Sequence, residues 1–214
     1  MSTFDKKAQN WDSGDIRVNG AKKIADAIEQ KIDLTQDMEV LDFGVGTGLL
    51  SFEIAKKVKQ VYGVDTSAGM LEKLQEKNSD TLNIIPIQQD IIKEPLTQKF
   101  DGIVSSMTLH HVENLEEFFR TIRENLKENG FIAIADLEEE DGTFHSDNEG
   151  VHHFGFVPKK LREVVQKAGF KDVKIENINT INKPHRDFGV FLLSAKKIEL
   201  SSFITFHHQK EDKV

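Results

Sequence analysis

The stretch VLDFGVGTGLL, residues 40–50, constrains the fold of this chain more than any other part of its sequence. A short alternating apolar run leads into three glycines at every second position, Gly44, Gly46 and Gly48, and an apolar helical pattern follows them. Because ordered glycine costs more conformational entropy than any other residue, three in one turn need a physical reason. A turn whose backbone lies directly against a ligand supplies that reason. The stretch therefore predicts a strand, a ligand-binding turn and a helix in succession.

The alternation of strand and helix patterns continues along the chain and predicts its fold class. Further strands are predicted at QVYGV, LNIIPIQQD, FDGIVSSM and GFIAIADL. Continuous apolar strands separated by helices indicate an α/β protein whose doubly wound, mostly parallel sheet is covered on both faces. Pro86 predicts an edge position for the third strand. Near the end, KDVKIENINTI and DFGVFLLSAKK follow each other with no helix between them, which predicts a reversed, antiparallel C-terminal hairpin.

Helices are expected between these strands, and three segments are predicted along the chain. The expected helices lie near 16–32, 49–58, 67–77, 114–127 and 157–168, and Gly130 is expected as the C-terminal glycine between the fourth helix and the strand that follows. Residues 1–36 are predicted to form a helical cap or lid, residues 37–198 the domain that carries the glycine turn, and residues 199–214 a charged tail. In the first segment, Phe4 and Trp11 either cover a bound cofactor or pack the first helix onto the sheet.

The composition favours a small molecule over a nucleic acid or a membrane as the partner. The formal net charge of the 214-residue chain is −8, whereas nucleic-acid binders usually carry a basic surface for phosphate contacts. No run of about 18 apolar residues is present, so no membrane span is predicted. The chain has no cysteine, which excludes disulfides, thiolate nucleophiles and cysteine metal sites. A cytoplasmic location is expected, since the N-terminus lacks the apolar stretch of a secretory signal. The oligomeric state is left open.

Two aspartates end the strands that follow the glycine turn. Asp65 closes VYGVD and Asp90 closes IIPIQQD. If the first three strands are neighbours, about 4.8 Å apart, the turn and the two carboxylates form a row of the length of an adenosine with a short side chain. Asp65 can accept hydrogen bonds from both ribose hydroxyls, and Asp90 can accept one from an adenine amino group. The alternative is that each aspartate caps a helix or faces solvent in a turn.

The glycine spacing separates this turn from two other nucleotide-binding motifs. A dinucleotide-binding fingerprint has its third glycine one residue later, where this chain has Leu49. A P-loop requires Gly-Lys-Ser/Thr, which the stretch lacks. The Tyr-x-x-x-Lys pair of some dehydrogenases is also missing, because Tyr62 is the only tyrosine and Thr66 stands at the lysine position. A nicotinamide-dependent oxidoreductase is therefore the less favoured alternative.

The motifs VLDFGVGTG, VYGVDTS, QQD and FDGIVSSMTLHHV resemble those of the class I S-adenosylmethionine-dependent methyltransferases. Within that family the chain looks like the small-molecule branch, type 11, that includes the ubiquinone and menaquinone C-methyltransferases. The resemblance covers about residues 37–198. It implies a Rossmann-like, seven-stranded sheet, S-adenosyl-L-methionine as the cofactor, and methyl transfer to the O, N or C atom of a small-molecule acceptor. A non-catalytic module that only binds the cofactor is a further alternative.

The resemblance also implies where the cofactor binds along the ends of the first four strands. In order from the methionyl part through the ribose and the adenine to the transferable methyl group, the matching positions are Asp42, Gly44, Gly46, Asp65, Thr66, Met70, Asp90, Ile91, Ser105 and Ser106. Methyl transfer from a sulfonium depends mainly on alignment of acceptor, methyl and sulfur. A general base is needed only where the acceptor must lose a proton.

Histidines and phenylalanines concentrate in the segment 138–156, which is too long for a simple turn. One of His145, His152 and His153 is predicted to act as a base or to bind the acceptor. The alternative is that all three are solvated or packing residues of a loop. For the pair in LHHV, His110 and His111, a structural role is expected, because this motif recurs in the family.

No metal site is predicted for this chain. His145, His152 and Asp141 could in principle supply one. The metal-dependent, catechol-type methyltransferases, however, have an acidic residue at the end of the fourth strand. This chain has Ser-Ser-Met at that place, residues 105–107.

Overall fold

The computed structural model describes residues 3–78 and 83–198, which fold around a seven-stranded mixed sheet. The strands in chain order are β1 (Glu39–Phe43), β2 (Gln60–Asp65), β3 (Ile84–Gln88), β4 (Phe100–Ser106), β5 (Leu126–Leu137), β6 (Phe170–Lys183) and β7 (Arg186–Lys197). The helices are α1 (Thr3–Lys7), α2 (Asp15–Lys31), α3 (Leu49–Ile54), α4 (Ala68–Lys77), α5 (Leu115–Glu124) and α6 (Pro158–Lys167), with 3-10 helices at Ala8–Ser13 and Leu109–His111.

The order of the strands across the sheet is β3-β2-β1-β4-β5-β7-β6. Because β1 pairs in parallel with both β2 and β4, the strand order reverses at β1. At such a switch point the connections diverge from the carboxyl ends of neighbouring strands and open a crevice for a ligand. The predicted doubly wound, mostly parallel α/β fold is confirmed, and the glycine turn lies at the switch point.

The two ends of the sheet also agree with their predictions. β3, which contains Pro86, is an edge strand, where the missing N–H of proline breaks no ladder. β6 and β7 form an antiparallel hairpin, and its turn lies between Lys183 and Arg186. β7 is the strand that joins the hairpin to the sheet, because it also pairs antiparallel with β5.

Alternating side chains of the strands bury two apolar layers, one on each face of the sheet. Leu41 belongs to the layer that packs against α5 and α6, which includes Phe118 and Val165. Its neighbour Val40 belongs to the opposite layer, which packs against α2, α3 and α4 and includes Ile28. Both faces are therefore covered, as a parallel sheet requires.

Helix boundaries follow side-chain caps, and two predicted boundaries were wrong. Ser67 caps α4 as predicted, because its Oγ accepts a hydrogen bond from the backbone N–H of Met70. α3 ends at Ile54, four residues before its predicted end. α5 ends at Glu124 and not at Gly130, because the Asn125 side chain donates hydrogen bonds to the carbonyls of residues 96 and 98 and β5 begins directly after it.

None of the helices in the described part of the chain is long and apolar enough to cross a membrane. The predicted charged tail, residues 199–214, lies outside the described residues. The division of the chain at residues 36 and 198 stays a prediction.

Candidate active site

The glycine turn between β1 and α3 has the backbone conformation that its sequence predicts. Gly44, Gly46 and Gly48 have φ angles of +69°, +55° and +87°, in the left-handed region that residues with a Cβ atom rarely adopt. A Cβ atom on Gly44 would overlap the side chain of Thr108. At Gly46 a Cβ atom would meet nothing within 4 Å, so this part of the turn faces open space. The turn can therefore receive a ligand at Gly46.

Asp65, the last residue of β2, binds the backbone on both sides of this crevice. Its Oδ2 accepts a hydrogen bond from the N–H of Gly46 at 2.9 Å, and its Oδ1 accepts one from the N–H of Ser67 at 2.9 Å. Burial raises the pKa of this carboxyl, against the lowering effect of those N–H donors. Each carboxylate oxygen keeps lone-pair capacity for a further donor.

Asp42 lies within β1, one strand over, and is fully buried. Ser51 Oγ, in α3, donates a hydrogen bond to its Oδ2 at 2.6 Å. Burial raises the pKa of Asp42 to about 7, although the Ser51 hydroxyl acts in the opposite direction. A cation or a further donor close to such a carboxyl would lower its pKa and favour its charged form.

The residues predicted to contact the adenine fall into two groups. Met70 and Ile91 are buried side chains of the core, at 2% and 0% exposure. Thr66 is exposed. Asp90 lies two residues beyond the end of β3, where its Oδ1 accepts N–H bonds from Ile92 and Lys93 and its Oδ2 pairs with the Lys93 ammonium at 2.9 Å. Burial alone would raise the pKa of Asp90, but Lys93 outweighs it and the net shift is downward.

The end of β4 combines one structural serine with a strained residue. Ser105 is buried, and its Oγ donates a hydrogen bond to the Phe43 carbonyl at 2.7 Å, which ties β4 to β1. Ser106 is partly exposed. Met107, which follows it, has a φ of +56° without being glycine. Such residues cost about 1–3 kcal/mol and concentrate at functional sites. Sequence reasoning did not single out Met107, because left-handed backbone has no signature in methionine.

The N-terminal segment, residues 3–13, lies across the start of α4 and the glycine turn. Asp5 accepts hydrogen bonds from Ser67 Oγ at 2.6 Å and from the N–H of Gly69 at 3.1 Å. Asp12 accepts one from Thr47 Oγ1 at 2.6 Å. Two carboxylates therefore hold this segment against the crevice.

Three histidines meet beside the carboxyl ends of β4 and β5. His110 is buried, and its Nδ1 lies 2.8 Å from Oδ1 of Asp136, which is also buried. His111 Nδ1 lies 2.7 Å from the Gly150 carbonyl oxygen. His145 reaches the pair from the segment 138–156, with its Nε2 3.1 Å from His110 Nε2.

The electrostatic environment of this histidine cluster, His110, His111 and His145, keeps its outer rings neutral. Burial, reinforced by the neighbouring His110, lowers the pKa of His111 to about 4. The same causes, with His111 added, lower the pKa of His145 to about 4. At neutral pH both imidazoles are therefore uncharged, so each ring has one nitrogen that donates and one that accepts.

The structure brings together only one of the three histidines predicted as catalytic with other reactive groups. His145 belongs to the histidine cluster. His153 Nε2 bonds to the Val112 carbonyl at 2.9 Å, which is a packing contact. The His152 ring is exposed. Asp136 was missed, although an acid inside the apolar run FIAIADL needs a buried partner.

Aromatic rings extend from the histidine cluster in both directions. Phe4 meets His111 edge-on with centroids 5.1 Å apart, and it meets Trp11 at 6.0 Å. On the other side, Phe144 packs edge-on against His145 at 4.8 Å. The cluster therefore lies between the N-terminal segment and the segment 138–156.

Comparisons with known proteins agree with this geometry. The chain matches the family described as methyltransferase domain over residues 17–175. It is 32% identical to an uncharacterized methyltransferase of Schizosaccharomyces pombe over 165 residues, which are 68% of this chain and 56% of the yeast protein. The chain thus spans little more than half the length of that relative.

Solved structures share the fold at low sequence identity. One is the methyltransferase of Haloferax volcanii in complex with the Trm112 methyltransferase activator, with a TM-score of 0.74, 18% identity, and coverage of 93% of this chain and 99% of that chain. Another is phosphoethanolamine N-methyltransferase 2 of Haemonchus contortus in complex with S-adenosyl-L-methionine, with a TM-score of 0.69, 17% identity, and coverage of 93% and 61%.

The chain belongs to the methyltransferase-domain family, because the family match covers most of its length. Its Rossmann-like α/β sheet with a reversed C-terminal hairpin is the predicted fold of class I S-adenosylmethionine-dependent methyltransferases. The family match confirms the predicted methyltransferase class, and the Haemonchus contortus enzyme of the same fold binds S-adenosyl-L-methionine, the predicted cofactor.

Proposed function

We propose that this chain transfers a methyl group from S-adenosyl-L-methionine to a small-molecule acceptor, as the type 11 branch of the family does. The observation that carries the proposal is the open face of Gly46 next to the Asp65 carboxylate, at the switch point of the sheet. A cofactor with an adenosyl group and a charged side chain fits this combination. The adenosyl group meets a carboxylate, and the side chain meets backbone without a Cβ atom.

The described residues fit the cofactor in three ways. Gly46 leaves room for a ligand against the main chain. Asp65 keeps acceptor capacity on both oxygens, which suits two ribose hydroxyls. Asp42, buried beneath the turn, offers a carboxyl that the cationic amino group of a methionyl side chain would hold in its charged form.

The chemistry of the reaction comes from the bound cofactor, which supplies an electrophilic methyl group on a sulfonium. The residues of the chain position the acceptor and keep water away from the crevice. We assign the second task to residues 1–36, in which residues 3–13 are held across the crevice by Asp5 and Asp12. This assignment corresponds to the cap predicted for residues 1–36, which stays a prediction.

The acceptor side is assigned to the histidine cluster and the rings next to it. Of the three histidines predicted as catalytic, the proposal keeps His145, which lies among His110, His111 and Phe144. The aromatic surfaces suit a small organic acceptor. The net charge of −8 disfavours a nucleic acid as the acceptor. The phosphoethanolamine enzyme of Haemonchus contortus is named for a small-molecule acceptor.

Calorimetry with S-adenosyl-L-methionine and with its demethylated product tests the proposal. Wild-type protein should bind both, and Asp65→Ala should weaken binding roughly 10- to 100-fold, because a hydrogen bond to a charged group contributes about 1.5–3 kcal/mol. Asp26→Ala removes the same charge from an exposed position of α2 and serves as the matched control. Equal affinities of the wild type and Asp65→Ala would overturn the proposal.

The formation of demethylated cofactor with a panel of small acceptors then tests for methyl transfer. Turnover with at least one acceptor supports an enzyme. Tight binding without turnover across the panel would favour the non-catalytic module. Binding of a nicotinamide cofactor in place of S-adenosyl-L-methionine would favour the oxidoreductase alternative.

A further inference from the structure

The histidine cluster has the donor set and the spacing of a metal site. One ring nitrogen of each of His110, His111 and His145 lies within 4.8 Å of those of the other two. Nε2 of His110 lies 3.1 Å from Nε2 of His145. Ligands about 2.1 Å from a tetrahedral zinc ion lie about 3.4 Å from one another. Small rotations of the rings would therefore bring the three nitrogens to coordinating distance.

The ring nitrogens opposite this meeting point are already anchored. The Nδ1–H of His110 donates to the buried Asp136 carboxylate, and the Nδ1–H of His111 donates to the Gly150 carbonyl. This fixes the tautomer of both rings and puts their lone pairs on Nε2, where that of His110 accepts a hydrogen bond from the Nε2–H of His145 that a metal ion would replace. Metal-binding histidines almost always make such a bond to a carboxylate or a backbone carbonyl, which orients the ring and raises its basicity.

The local charge also favours a cation. Asp136 is fully buried and its bonds go to His110 and to the N–H of its own strand neighbour, Leu137. A divalent ion at the cluster would place a positive charge next to this carboxylate.

We propose that His110, His111 and His145 bind a divalent transition-metal ion of the zinc type. Three neutral imidazoles suit zinc, and the chain has no cysteine that could compete as a softer ligand. Calcium and magnesium are disfavoured, because they prefer oxygen ligands. Three protein ligands leave a fourth coordination position open, as in catalytic zinc sites. On the proposed function, the site lies on the acceptor side, and the open position would take an oxygen or nitrogen of the acceptor.

Cobalt(II) is the probe that tests this proposal, because tetrahedral cobalt absorbs visible light and binds where zinc binds. The full chain is stripped with a chelator and titrated with Co²⁺ in the absence of any cofactor. We expect one equivalent to bind with a visible absorption band, and Zn²⁺ to displace it. His111→Ala and His145→Ala should each weaken binding at least 100-fold. Asp136→Asn should weaken it about 10- to 100-fold, as expected for an orienting residue.

The matched control is His185→Ala, which removes an exposed histidine in the turn between β6 and β7 and should leave the titration unchanged. Circular dichroism of each variant shows whether it has folded. A wild type that gives no cobalt band overturns the proposal and identifies the cluster as a hydrogen-bonded relay from Asp136 through His110 to His145. Equal losses in His145→Ala and His185→Ala overturn it too. Calorimetry of the stripped protein with S-adenosyl-L-methionine tests the proposed function separately.

Discussion

Asp42 is the residue whose ionisation should be most visible in the stability of the protein. Its pKa is about 7 in the folded state and 3.8 is the ordinary value, so the folded state binds the proton more tightly. The resulting stabilisation is fully present below about pH 3.8 and is lost as the pH rises through 7. Between pH 5 and pH 8 the loss should be about 2–3 kcal/mol, since one pKa unit corresponds to about 1.4 kcal/mol.

Urea unfolding of the wild type and Asp42→Asn at pH 5 and pH 8, without cofactor, checks this expectation. Asparagine cannot ionise, but its Oδ1 can still accept the Ser51 hydroxyl. The variant should therefore lose less stability than the wild type over this interval. If both proteins lose the same amount, the buried carboxyl does not titrate in this range.

The position of some site residues could be predicted from the sequence, and the position of others could not. Asp65 was predictable, because an acid at the carboxyl end of a strand next to a glycine turn has a known position once the strand order is known. The partners of His110 were not predictable from spacing. His145 is 35 residues away, and its path depends on how the segment 138–156 folds back. A buried aspartate such as Asp136 signals only that a partner exists.

The segment 138–156 is the element that brings His145 to the site, and its two ends are fixed on each other. Phe156 donates its N–H to the Leu137 carbonyl, and Glu140 donates its N–H to the Phe154 carbonyl. Gly155 lies between them with a φ of +67°, and a Cβ atom there would overlap the Glu138 carbonyl. Gly150, in the middle of the segment, has a φ of +74° but open space around it.

Replacing each of these two glycines by alanine compares a position with open space to one without it. Gly150→Ala should cost about 1 kcal/mol of stability for its backbone conformation alone. Gly155→Ala should cost at least about twice as much, because backbone atoms must move, and it should displace His145 from His110. Denaturation measures the difference in the free energy of unfolding between the two variants. Hydrogen exchange at the amide of Phe156 measures how far the two ends of the segment have separated. Similar exchange rates in the two variants would contradict this account of the segment.

Strands were predicted correctly from the sequence where the apolar pattern and the rules of sheet topology agree. The seven strands, the edge position of Pro86 and the reversed hairpin follow from apolar patterns and from the rules of parallel sheets. The boundary at Gly130 failed because tertiary contacts decided it. Asn125 satisfies the carbonyls of residues 96 and 98, which no local pattern encodes.

At the scale of the whole molecule, residues 3–13 form a short N-terminal segment with one buried side chain, Ala8. They contact the rest of the protein through a few polar groups, chiefly Asp5 and Asp12, and through the ring of Phe4. Segments held by few contacts open at a low free energy, and active-site lids come from such segments. Residues 3–13 should therefore close over the crevice without being part of the global unfolding unit, whereas α2 is packed into the core through Ile28.

Asp5→Ala tests this by removing the bonds to Ser67 and Gly69. Losing this contact should favour the open segment by about 1 kcal/mol, or roughly 5-fold in population, with little change in the main thermal transition. Trp11 is the only tryptophan and stacks under Arg17, so its emission reports the segment directly. Emission should shift to the red and trypsin should cut at Lys6 and Lys7 faster than in Asp26→Ala. S-adenosyl-L-methionine should reverse both changes if the segment covers the cofactor, whereas emission that stays constant throughout would mean that the segment is a fixed part of the fold.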